Sequence, residues 1–85
     1  MVEKAEARLT AALKHREPAA RLINEAERVR QAQLGYWRSW QTRAVPLVGV
    51  EDKEIERQMM NLSKIIELWQ SLTIHEILAK YAPAG

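Results

Sequence analysis

The 85-residue sequence predicts an all-α protein. Its expected architecture is a hairpin of two long antiparallel helices, with a shorter helix before it, a short one after it, and an oligomeric assembly around it. Three observations carry that expectation. Apolar residues recur at helical spacing through most of the chain. Only three glycines and three prolines occur, and all but Gly35 fall between or after the periodic stretches. Finally, 47% of the residues are hydrophobic, yet there is no cysteine. A chain this short buries a marginal core, and without disulfides or thiolate metal sites the remaining stabilisers are tight helix packing and partner subunits.

The first helix is expected over residues 2–16. Val2, Ala5, Leu9, Ala12 and Leu13 form a narrow, alanine-rich stripe among good helix formers. Pro18 then predicts a break, because inside a helix it removes a hydrogen bond and crowds the carbonyl four residues back, whereas in a first turn it is tolerated.

The second helix is expected over 19–44, about 39 Å at 1.5 Å per residue. Its seam, Leu22, Ala26, Val29, Gln33, Tyr36 and Trp40, alternates spacings of four and three, the rhythm of a coiled coil. Gln33 is polar on that seam, a device that fixes register or oligomer state, or else marks partial exposure. Gly35 is expected to let another backbone or a tryptophan approach closely rather than to end the helix.

The connection Val45-Pro46-Leu47-Val48-Gly49-Val50 is short enough to turn the chain back and unusually apolar for a loop. A third helix is expected over 51–72, with Glu51, Asp52 and Glu54 suiting its N-terminus and Val50 and Ile55 placed as a hydrophobic staple. Its seam is Ile55, Met59, Leu62, Ile66 and Trp69, and Met60, Ile65, Leu68 and Leu72 widen the apolar face beyond what one helix covers. Thr73 followed by Glu76 has the form of a capping box, which starts a fourth helix over 74–81.

Charge is nearly balanced overall at +2, but residues 1–44 carry a net +4 and residues 45–85 a net −2. Such asymmetry favours antiparallel pairing or leaves a basic face for a nucleic acid. The longest apolar run is seven residues and contains Pro46, too short for a signal core or a membrane span. The expected setting is cytoplasmic.

Catalytic patterns are missing. His75 and Glu76 are neighbours on a helix and do not face each other. His15 sits in a basic patch without a ligand one turn on, and the carboxylates are scattered as helix-surface charges. No phosphate loop, nucleophile motif or metal-ligand spacing occurs, so no enzyme activity, cofactor, metal or small-molecule substrate is expected. The small all-helical chorismate mutases have a similar size, but here the charged residues avoid the seams and Pro18 interrupts the place of their long first helix.

What is left is surface for assembly. The candidate interface residues are Tyr36, Trp37, Trp40, Leu47, Val48, Ile55, Met59, Leu62, Ile66 and Trp69. Trp40, on the seam, is expected to be buried, so that its removal would cost about 3–5 kcal/mol. Arg28, Arg30, Arg38 and Arg43, interleaved with the aromatics, are candidate nucleic-acid contacts, since guanidinium groups bind phosphates while rings stack on bases. The leading expectation is a non-enzymatic oligomerisation or adaptor protein. A DNA-binding protein and a small antitoxin-like regulator covered by a different protein are the alternatives.

The long helix ending at Trp37–Ala44, the connection Val45–Val50 and the returning helix Glu51–Leu72 together resemble the helical hairpin of small terminase subunits of tailed phages and gene transfer agents. The resemblance covers the last two-thirds of the chain and is one of organisation, without a diagnostic motif or a helix-turn-helix module. It implies a DNA-packaging subunit, with ring assembly through the broad apolar face and DNA contact through the arginines.

Overall fold

A computed structural model describes residues 1–42 and 52–83. The chain is all-helical there, with α1 Val2–Lys14, α2 Ala19–Thr42, α3 Asp52–Ser71 and α4 Ile74–Tyr81. The body is long and thin, 50 × 22 × 20 Å. The apolar connection with Leu47 and Val48, the Val50 staple and Arg43 lie outside the described residues.

The break before Pro18 is built by the backbone. Arg16 takes a left-handed φ of 52°. Its N–H donates to the Leu13 carbonyl at 3.2 Å, and the Glu17 N–H to Ala12 at 3.0 Å. These paired bonds are a Schellman motif, which satisfies the last carbonyls of α1. The Pro18 carbonyl then accepts from Arg21 and Leu22 at 2.9 and 3.1 Å, so the proline stands just outside α2 and costs it no hydrogen bond.

The second bend is also local. Thr73 Oγ1 accepts from the Glu76 N–H at 3.1 Å, and Glu76 Oε1 accepts from the Thr73 N–H at 3.1 Å. The reciprocal pair ends α3 and starts α4. The backbone N–H of Thr73, followed by its side chain, holds the Glu76 carboxyl below its ordinary pKa.

α2 is the spine, with α1, α3 and α4 all packed on it. The core joins Leu9 of α1, Ala26, Val29 and Leu34 of α2, Ile66 and Trp69 of α3, and Leu72 and Ile77 around α4. Tyr81 ties the last helix to the first. Its hydroxyl donates to Glu6 Oε2 at 2.5 Å and has the Gln33 side chain beside it. Burial, then the Glu6 carboxylate, push the phenol up to about 12.

Candidate interaction surfaces

The core stops part-way along the hairpin. Beyond Leu34 on α2 and Ile66 on α3, no described residue of either helix is buried. This far part, residues 35–42 and 53–65, is a two-helix arm held side to side by contacts such as Gln41 Nε2 to Ser63 Oγ at 3.3 Å.

Helical geometry explains which faces the arm leaves open. Tyr36 and Trp40 follow Val29 by seven and eleven residues, so both point within about 20° of its direction. Val29 is fully buried. Tyr36 is 42% exposed and Trp40 48%. The same stripe is therefore buried at the base and half-exposed on the arm. The cover runs out near Gln33, where Tyr81, the last residue of α4, meets Glu6. The expectation that Trp40 is buried is corrected accordingly.

The other candidate interface residues divide in the same way. Ile66 and Trp69, each 8% exposed, are closed into the chain's own core and present no free surface. Trp69 is also sealed by Lys80, whose Nζ lies 5.8 Å from the ring centroid. Trp37 packs against the core and donates its indole N–H to Gln33 Oε1 at 3.0 Å. That bond also gives Gln33 a partner within its own helix. Ile55 and Leu62 are half-buried, Met59 is 37% exposed and Met60 60%. Tyr36 stands edge-on to both Trp37 and Trp40, with centroids 5.0 and 6.4 Å apart, a cluster with an open side. Gly35 differs from its expectation: a Cβ there would meet nothing within 4 Å.

The arginines are not equivalent. Arg30 is no free cation. Its side chain is 12% exposed, and its guanidinium donates to the carbonyls of Trp69, Gln70 and Leu72 while Nε reaches Glu27 Oε1 at 3.2 Å. Those carbonyls are at the C-terminal end of α3, so Arg30 caps a helix. It is corrected from a nucleic-acid contact to a structural residue. Arg28 and Arg38 are exposed. His15 and His75 are exposed too.

One constellation is formed only by the packing of α1 on α2. Lys4 and Arg8 of α1 and Arg21 and Arg28 of α2, with Glu25 and Glu17, line three adjoining hollows that share Arg8 and together form a groove along α1 and α2. The signal was present: Lys4 and Arg8 are one turn apart, Arg21 and Arg28 two turns apart, and each pair shares a face.

Among the described residues no helix is long and apolar enough to cross a membrane, and no cluster of His, Asp and Glu could hold a metal ion. No family model matches the chain, and comparison with curated proteins and solved structures gives no match. The likeness to small terminase subunits rests on the order and length of the elements alone.

Proposed function

We propose that this protein is a non-catalytic assembly module whose α2–α3 arm is completed by another chain, in the first instance a second copy. The observation that carries the reading is the half-exposed continuation of the core stripe. Tyr36 and Trp40 prolong the buried line of Val29 past the end of α1 and α4, and Met59 and Met60 are exposed on the other helix of the arm. Two helices packed only on each other bury little apolar surface, and among the described residues neither α1 nor α4 buries any side chain of the arm. The base of the same hairpin takes a layer of two helices, α1 and α4. An incoming arm would supply a layer of the same width and form a four-helix bundle.

Light scattering and native mass measurement on the full chain at micromolar concentration test this. A defined multimer is the expected result. A strictly monomeric mass, with no second protein co-purifying, overturns it. A stoichiometric complex with a different protein would keep the module and assign the arm to that partner.

A further inference from the structure

The groove between α1 and α2 carries a feature that assembly through the arm does not use. Glu25 is 8% exposed, and its Oε2 is buried without a hydrogen-bond partner. Leaving a carboxylate oxygen desolvated and unpaired is costly. Glu25 lines a groove whose other polar side chains are Lys4, Arg8, Arg21 and Arg28 together with Asn24, and Glu17 and His15 at one end. None of the four cationic side chains forms a hydrogen bond or ion pair with another described residue.

The ligand chemistry follows from this pairing. A second cation seated at Glu25 would be repelled by the arginines around it. A simple anion would satisfy the arginines and leave Oε2 orphaned. The groove therefore suits a molecule that brings repeated negative charges together with a neutral N–H donor. Phosphates and the exocyclic amine of a nucleobase are that combination: arginine and lysine hold phosphate oxygens, and a glutamate accepts from the cytosine amine. Alanines line the groove between the charged residues, Ala5, Ala11 and Ala12 from α1 and Ala20 from α2. Small side chains let a flat base approach the backbone. From Lys4 to His15 the groove follows α1 for about 16 Å, enough for a short run of nucleotides. Glu25 is 8% exposed between two helices, so a base has to be splayed out of its stack to reach it, as in a single strand.

We infer that the α1–α2 groove binds single-stranded nucleic acid, with Lys4, Arg8, Arg21 and Arg28 on the phosphates and Glu25 accepting a base amine. This site is separate from the arm, and its test does not depend on the assembly reading.

Fluorescence anisotropy with labelled oligodeoxycytidylate and oligodeoxythymidylate of equal length decides it. Neutralising four phosphates predicts that affinity falls roughly fifty-fold between about 50 and 200 mM salt. The cytosine polymer binds roughly tenfold tighter, because thymine presents an acceptor where cytosine presents a donor. Arg21→Gln together with Arg28→Gln, both at exposed positions, lowers affinity for both polymers and flattens the salt dependence. Glu25→Gln, close in shape, keeps the salt dependence and loses the cytosine preference. Arg38→Gln, on the arm, changes neither. Circular dichroism confirms that each variant is helical. The inference is overturned if the wild type shows no salt-sensitive binding, if the Arg21/Arg28 variant binds as the wild type does, or if the Glu25 variant keeps the preference. Retention of an acidic protein that is lost with Arg21→Gln, in the absence of oligonucleotide binding, also overturns it.

Discussion

The guanidinium of Arg30 donates to the backbone carbonyl of Leu72, forty-two residues further along the chain. With its bonds to Trp69 and Gln70 it supplies donors where α3 has run out of them. No glycine or asparagine follows Ser71 to provide the usual left-handed cap. The cap comes instead from the spine helix, so one side chain both ends α3 and fixes it against α2.

Arg30→Ala should therefore act as a stability mutation. Hydrogen bonds from a charged donor are worth about 1.5–3 kcal/mol, and a loss of that order in urea unfolding is expected. Arg30→Lys recovers only part, because one ammonium cannot reach several carbonyls in a fan as a planar guanidinium does. If Arg30→Ala leaves the unfolding midpoint in place, the cap contributes nothing.

Both helix breaks and the spine could be read in the sequence because their causes are local. Pro18 and the Thr73–Glu76 pair act within one turn, and apolar spacing fixes a face without knowledge of what covers it. What was illegible depends on where neighbouring helices stop. Val29 and Tyr36 look alike on a seam, and only the length and placement of α1 and α4 make one buried and the other exposed. Arg30 and Arg28 are two residues apart on one helix, yet one points at the end of α3 and the other into the α1–α2 groove. The Glu25 site shares this non-local origin, since α1 supplies half of it.

Two backbone positions make opposite use of glycine. Arg16 adopts a left-handed φ that glycine takes freely, so Arg16→Gly should stabilise by about 0.5–1 kcal/mol. Gly35 is inside α2 with open space around its Cα, so Gly35→Ala should stabilise by about 1 kcal/mol through helix propensity. Thermal melts check both. A destabilising Gly35→Ala in the assembled protein, with no such effect in a monomeric variant, would mean that a partner chain approaches this position.

The Tyr81–Glu6 contact sets a pH window. The folded phenol titrates at about 12 against an ordinary value of 10.0. Because the protonated form is favoured in the fold, the contribution is complete below the unfolded value and is lost as pH rises through the folded one. Unfolding midpoints of the wild type and Tyr81→Phe should therefore converge between about pH 10 and 12. A constant difference across that range would show that the hydroxyl does not donate to Glu6.

The two tryptophans Trp40 and Trp69 separate folding from assembly. Trp69 is 8% exposed in the core, whereas Trp40 is 48% exposed on the arm. Trp69→Ala should cost about 3–5 kcal/mol, close to the whole stability of a domain this small. Trp40→Ala removes about half as much buried surface, so the single chain should lose about 2 kcal/mol. Its effect belongs to the assembly, because an aromatic anchor at the centre of a contact often contributes 2 kcal/mol or more to binding. Measured together by light scattering and circular dichroism, Trp40→Ala should give a smaller particle with its helices intact. A helical Trp40→Ala that keeps the wild-type mass would move the contact away from this stripe. Loss of helicity on dilution of the wild type would instead show that the arm folds only against its partner.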